Sequence, residues 1–345
     1  MLFHRDIFPG KALIFIAEIG LNHNGNMDIA GQMIQAAYNA GADAVKFQTF
    51  IPEKINSVFT ESLIKYGFEK EASTKEKDFF EQFVLTKNEY SELMLLASKL
   101  NTEFFSSPFD VESVDFLEKL GVKFYKIASS EVTNHILLKR IAITKKPVIM
   151  STGISNEDEI SKAIGLLKKN GCPDIILMHC VSLYPLPPEH ANLRRIESLS
   201  KKFDIEVGFS DHTKDSKLSE ISVALGAKIF EKHFTLNNEL DCPDKNVSLT
   251  PEEFNTFITS VRLAEKTIGS GKINFNASEK EVARLARKSL FAKREIRKGS
   301  IISFDDVIAK RPGIGIPVYE LDNIIGKRAN REIKEDYLLR TEYFD

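Results

Sequence analysis

The sequence predicts a closed (β/α)8 TIM barrel followed by a small β-rich module, and three observations predict it. Eight short apolar runs, each ending in polar residues, recur along most of the chain. Stretches with apolar residues at helical spacing separate them, the alternation expected when parallel strands are joined by crossover helices. After the last of these the chain becomes rich in Gly, Ser, Asn and Lys, and then in short apolar runs broken by Lys-Gly and Pro-Gly turns. A chain of 345 residues and 39.0 kDa has room for a barrel of roughly 250 residues and a second unit. A doubly wound open sheet is the competing architecture. It requires a glycine-rich phosphate turn after the first strand, and the segment from Asn22 to Asn26, NHNGN, lacks that fingerprint.

In chain order, residues 13–17 form an apolar run that ends at Glu18. Over 27–40, Ile29, Met33, Ile34 and Ala37 recur at helical spacing and Gly41 stands where the helix should stop. The second strand, 44–47, carries Lys46 and leads to Gln48; 49–78 is polar and irregular, an inserted loop over the strand ends. A helix is expected over 87–100. Further strands follow at 103–105, 123–127, 147–150, 175–178, 205–209 and 228–230, with helices between them such as 111–120 and 157–169. Thr250-Pro251-Glu252-Glu253 is a helix start, so 252–268 reads as the last barrel helix. The expected division is a barrel domain over 1–272, a linker over 273–286 and the small module over 287–345, a unit too short to hold much core of its own.

Composition excludes several classes of function. The net charge of -2 gives no electrostatic reason to expect nucleic acid or an anionic membrane as partner. Cys172, Cys180 and Cys242 are odd in number and lack paired zinc spacing, which fits a reducing cytoplasm. The amino terminus lacks a signal-peptide pattern, and no apolar run approaches the roughly 20 residues needed to span a bilayer. The expectation is a cytoplasmic protein.

In a barrel all strand ends meet at one rim, so the polar residues there form one set. His212 in GFSDHT and His233 in EKHFT each follow an apolar run and can converge on a metal; two unrelated histidines held by hydrogen bonds are the alternative. Lys46 and Lys126, with Ser107, Ser129, Ser151 and Ser210, supply the donors for a phosphate and a carboxylate. Each serine taken singly is equally a turn or helix cap, and each lysine a solvated end. Glu18, Glu131 and Asp244 are candidate acids, bases or hydroxyl partners, and Tyr184 completes the rim. In the tail, Lys310-Arg311-Pro312-Gly313 reads as a solvated basic turn or as an arginine presented to the rim.

The segments IAEIGLNHNG, GADAVKFQTF, FSSPFD, KIASSE, STGIS, MHCVSLYPLPP, GFSDHT, ALGAKIFEKHFTL and KRPGIG, in this order, resemble the sialic acid synthase family over nearly the whole chain. The resemblance implies a barrel enzyme with a C-terminal antifreeze-like (SAF) domain. It implies condensation of phosphoenolpyruvate with an N-acylated mannose-type sugar to a nine-carbon 2-keto acid and phosphate. Within it, His212 and His233 are ligands of a divalent metal, manganese or magnesium. Ser107, Lys126, Ser129, Ser151 and Ser210, with Lys46, hold phosphoenolpyruvate, and Glu18 lies near the reacting carbons. Glu131, Tyr184 and Asp244 fall on the sugar or metal side, and Arg311 reaches the N-acyl group from the partner subunit of a domain-swapped homodimer.

Four positions depart from the family pattern. Cys242 stands where a glycine commonly precedes the Pro-Asp pair, and Ser182 where N-acetylneuraminate enzymes of bacteria often have asparagine. The segment KFQTF differs from their KHQTH and is more like the forms that act on 6-deoxy diacetamido sugars, the legionaminate and pseudaminate synthases. Two other functions compete: a metal-dependent aldolase using free pyruvate, and a carbohydrate- or ice-binding protein acting through the tail. The tail lacks a flat, repetitive threonine face.

Overall fold

In a computed structural model, residues 6–55 and 80–345 are described. Eight parallel strands form the sheet: β1 Ile14–Gly20, β2 Ala44–Thr49, β3 Glu103–Pro108, β4 Tyr125–Ile127, β5 Val148–Ser151, β6 Ile175–His179, β7 Val207–Ser210 and β8 Ile229–His233. Their order is β3-β2-β1-β8-β7-β6-β5-β4, and β3 and β4 meet across the remaining gap, so the ring is nearly closed. The helices are α1 Met27–Ala40, α2 Pro52–Ile55, α3 Lys87–Lys99, α4 Val111–Leu120, α5 His135–Ile143, α6 Glu157–Lys169, α7 Arg195–Phe203, α8 Lys217–Ala224 and α9 Pro251–Ile268. The expected barrel is therefore present. The loop expected over 49–78 falls largely outside the described residues. Among the described residues no helix is long and apolar enough to cross a membrane.

Strand parity explains both core and site. Ile14, Ile16, Ala44, Phe105, Phe124, Ile149, Ile176, Met178 and Ile229 alternate along their strands and form one buried cluster with Ile7 and Phe8. The intervening residues, such as Phe15, Val45, Phe47, Phe104, Tyr125, Leu177, Phe209 and Phe230, belong to a larger cluster that includes the apolar stripes of the helices. A strand side chain reverses face at each step, so the first set fills the barrel and the second packs outside it. Continuing the inner parity toward the carboxyl ends gives Glu18, Lys46, Gln48, Ser107, Lys126, Ser151, Ser210, Glu231 and His233. Apolar layers thus floor a polar one.

Helix ends follow the sequence signals. Thr250 and Glu253 form a capping box with Pro251 in the first turn, and Asn156 with Glu159 does the same for α6. Gly41, at φ 98°, closes α1 in the left-handed conformation that a side chain disfavours.

The chain divides into Met1–Gly269 and Ser270–Asp345. The second unit opens with a helix, α10 Ala277–Ala286, inside the stretch expected to be a linker. Its start is encoded by a capping box of Asn276 and Glu279, a signal masked by the surrounding Gly, Ser and Asn. Strands β9 Ser289–Ala292 and β10 Val307–Lys310 pair antiparallel, as the short apolar runs predict. The expectation of little internal core is corrected. Leu290, Ile296, Ile302, Ile316, Ile324, Ile333 and Leu339 lie in one buried cluster, because short strands and turns fold their isolated apolar residues onto a common centre.

Candidate active site

The polar layer is built around two buried lysines. Lys46 Nζ lies 2.6 Å from Glu18 Oε2 and 3.8 Å from Glu231 Oε1, and Lys126 Nζ lies 3.3 Å from the same Glu231 oxygen. Ser210 Oγ donates to Glu231 Oε1 at 3.1 Å, Gln48 Nε2 to Glu18 Oε1 at 3.1 Å, and Lys46 Nζ to Ser107 Oγ at 3.5 Å. Register explains the convergence: Glu18 is paired with Lys46 on one side and with His233 on the other, and Ser210 with Glu231.

Burial and charge set the protonation states. Burial pushes the Lys46 ammonium down, but Glu18 and Glu231 outweigh it and hold its pKa above the ordinary value. For Lys126, burial prevails over the attraction of Glu231, and the neighbouring Lys46 adds to the fall. Burial would raise the Glu231 pKa, yet the two lysines hold it below the usual carboxylate range. One carboxylate is therefore shared between two ammonium groups. With Glu18 also paired to Lys46, the two carboxylates let both ammonium groups stay close together inside the barrel, because lysines alone would repel one another.

The imidazoles stand beside this layer. His212 Nδ1 donates to the Val181 carbonyl oxygen at 2.8 Å, since a carbonyl can only accept. This fixes the proton on Nδ1 and makes Nε2 an acceptor, 3.4 Å from Ser210 Oγ. Burial, then His233, lowers the His212 pKa to about 3. The His233 ring centroid is 5.5 Å from that of His212, and its Nδ1 lies 3.1 Å from Asp244 Oδ2. That pair is at ion-pair distance without hydrogen-bond alignment, so Nδ1 remains without a hydrogen-bond partner among the described residues. Burial opposes charging of His233, but Asp244 and Glu18 raise its pKa. The Tyr184 ring stacks on His212 at 4.1 Å and meets His233 edge-on at 5.6 Å.

Asp244 is aimed by a residue the sequence reading passed over. Asn22 Oδ1 accepts from Asp244 N at 3.0 Å, while Asn22 Nδ2 donates to Phe234 O and Ser248 Oγ. Cys242 needs no left-handed conformation in this loop and is buried, its thiol 3.9 Å from Thr235 Oγ1. The departure from glycine leaves Asp244 directed at His233.

The remaining candidates have varied surroundings. Ser129 Oγ accepts from Gly153 N at 3.1 Å beside Cys180 Sγ, and a Cβ on Gly153 would come within 2.8 Å of both side chains. Ser151 is buried on the inner face of β5. Glu131 does not join the carboxylates of the layer. Its oxygens accept from Ser130 Oγ at 3.0 Å and Asn134 Nδ2 at 2.7 Å in the turn Ser129–Glu131. Arg311 is exposed in the second unit, just after β10. Phe47 faces the outer layer, stacked on Phe104 at 5.0 Å, whereas Phe50 packs with Leu21 and Phe83. Glu231 is the main residue missed. Its signal was parity, two positions before His233 on the same face of β8.

The donor set fits a divalent metal. His212 presents an unprotonated Nε2 with its tautomer fixed, and a buried Glu231 oxygen lacks a hydrogen-bond partner. No group of three or more His, Cys, Asp or Glu residues poised for a metal occurs among the described residues. Substrate and water oxygens would therefore complete the shell of the two imidazoles.

A barrel that seals lysines, carboxylates and imidazoles at the carboxyl ends of its strands has the architecture of an α/β-barrel enzyme. The NeuB family model matches residues 33–273 and the SAF domain model residues 287–344. The N,N'-diacetyllegionaminic acid synthase of Campylobacter jejuni is 39% identical, over 96% of this chain and 99% of its own length. Human N-acetylneuraminate-9-phosphate synthase is 32% identical over 96% and 92%. The crystal structure of the N-acetylneuraminic acid synthetase of Leptospira borgpetersenii superposes with a TM-score of 0.71 at 35% identity, covering 79% of this chain and 90% of the other. The chain belongs to the NeuB family and is an enzyme of the sialic acid synthase type.

Proposed function

We propose that this enzyme condenses phosphoenolpyruvate with an N-acylated mannose-type sugar, releasing phosphate and a nine-carbon 2-keto acid, and that its acceptor is a 6-deoxy diacetamido sugar. The observation that carries the reaction is the pair of buried lysines sharing Glu231, a site made for a multiply charged anion. Lys46 and Lys126, with Ser107, Ser129, Ser151 and Ser210, hold the phosphate and carboxylate of phosphoenolpyruvate. The C3 carbon of the enol attacks the sugar aldehyde; water then adds at C2 and phosphate departs. Glu18, fixed by Lys46 and Gln48, orients that water and stabilises positive charge at C2. His212 and His233 are the residues to hold manganese or magnesium. When bound, the metal supplies Lewis acidity to the aldehyde oxygen. Tyr184 and Asp244 position the sugar, with Glu131 at the outer rim.

The acceptor reading rests on the higher identity to the legionaminic acid synthase than to the human N-acetylneuraminate-9-phosphate enzyme. It also rests on Phe50, which sits in an apolar cluster where the N-acetylneuraminate enzymes commonly carry histidine. Following the same resemblance, Arg311 meets the N-acyl group from the partner subunit of a swapped homodimer.

Phosphate release is to be measured with phosphoenolpyruvate and manganese against a panel of N-acyl sugars. Release should require both substrates and show its highest kcat/KM with the 6-deoxy diacetamido sugar. Preference for N-acetylmannosamine would refute the acceptor assignment; turnover of free pyruvate would refute the reaction.

A further inference from the structure

Behind β7 and β8, on the face opposite the active-site layer, lies a second buried ionic arrangement. Lys232 and Asp211 have fully buried side chains, with Nζ 3.1 Å from Oδ2. Each is the sequence neighbour of a candidate ligand histidine, and strand parity sends it the other way. The ammonium also donates to the Thr213 carbonyl oxygen, to Thr213 Oγ1 at 3.2 Å and to the Asp215 carbonyl oxygen at 2.8 Å. Four oxygens from a single loop, two of them backbone carbonyls, therefore gather on one cation. The Phe257 ring closes another side at 5.8 Å.

Asp211 ties the same loop to its surroundings. Its Oδ1 accepts from Thr213 N at 2.9 Å and Thr213 Oγ1 at 2.7 Å, its Oδ2 from Ser219 Oγ at 2.7 Å, and its backbone N donates to Glu231 O at 3.0 Å. His212 sits between Asp211 and Thr213, so the backbone on both sides of the imidazole is held by this network. A carboxylate, a hydroxyl and two carbonyls are the oxygen donors that hold a desolvated monovalent cation. A lysine has three N–H donors and no acceptor, which suits it to that position. Fold stability alone does not require such a buried pair, because well-packed apolar residues often replace one without loss.

We propose that Lys232 is a positioning residue acting as a tethered monovalent cation: its ammonium gathers the carbonyls of loop 211–215 and so sets the His212 imidazole against the Val181 carbonyl. Because the cation is covalently attached, the loop is ordered in every molecule whatever the surrounding salt.

The test uses the full-length chain as Lys232→Ala, Lys232→Met and the charge-balanced double variant Lys232→Met/Asp211→Asn. Amide exchange of residues 211–216 and kcat are followed at constant ionic strength with added ammonium, methylammonium or potassium. The turnover arm rests on the reaction proposed above; the exchange arm does not. Wild type should ignore the added cations. Lys232→Ala should exchange at least tenfold faster in this segment and lose at least tenfold in kcat, and both should recover saturably with ammonium or methylammonium. The double variant should fold, yet keep fast exchange and low kcat, which decides the matter if Lys232→Ala does not fold. Wild-type exchange and kcat in a variant lacking the ammonium would overturn the proposal. So would a folded Lys232→Ala that responds to none of the three cations. Failure of wild type to turn over any sugar would count against the reaction alone, since exchange still reads the role of Lys232.

Discussion

Glu231 shows how a single residue sets the character of the site. Its carboxylate accepts from Ser210 and lies 3.8 and 3.3 Å from the ammonium groups of Lys46 and Lys126, all three partners being buried. Substituting Glu231→Gln leaves the size unchanged and removes the charge that lets two lysines coexist. The expected result is a loss of about 3–5 kcal/mol in stability, read by denaturant unfolding, because a buried pair that loses one partner leaves the other uncompensated. A fall in kcat of roughly two orders of magnitude should accompany it, the scale seen when a preorganised electrostatic group is removed. The sequence displayed His212, His233 and Asp244 openly, since each lies at or beyond a strand end, and Lys46 and Lys126 as single cations within short apolar runs. Glu231 is harder to read, lying inside the strand, where alternation rather than position at an end reveals which face a side chain takes.

At the scale of the strand, β7 bears the closest constraint. Gly208 lies on the inner face of the ring, where a Cβ would collide with the Ile229 carbonyl oxygen and Met178 Sδ and come within 2.9 Å of Ile229 Cβ. No side chain fits there without moving β8 away from β7. Substituting Gly208→Ala should cost at least the ~1–3 kcal/mol typical of overpacking, because backbone atoms cannot yield as a flexible side chain can. It should also lower kcat, since Ser210 and His212 follow on the same strand and loop. Stability and steady-state rate measured on one preparation check both. Helices were legible from periodicity, with α4 and α6 at the predicted bounds. The helix α10 was not, because its Val282 and Leu285 are exposed and Gly and Asn dominate the flanking segment. The composition of the flanks masks the cap of Asn276 and Glu279.

At the scale of the whole molecule, the proposed swapped dimer has a distinctive consequence. If each tail completes the barrel of its partner, co-expressing Glu231→Gln with Arg311→Ala should restore about a quarter of wild-type activity. Random pairing makes half the dimers mixed, and one of the two sites in each is then intact. A tail serving its own barrel would give no restoration beyond that of the separate variants. The readout is phosphate release at a sugar concentration where each variant alone is inactive.

The sequence by itself determined the barrel, the order of its elements, the family and most of the charged residues at its rim. These are written locally, in the period of apolar residues, in caps and in motifs that need no distant partner to be recognised. Tertiary structure decided which of those residues share a site. Register pairs Glu18 with Lys46 and with His233, and strand parity adds Glu231 while turning Lys232 and Phe47 outward. It also brings Asn22 to Asp244 across 222 positions of sequence. Such choices belong to the closing of the ring, because only then does each buried charge meet the partner that makes its burial tolerable.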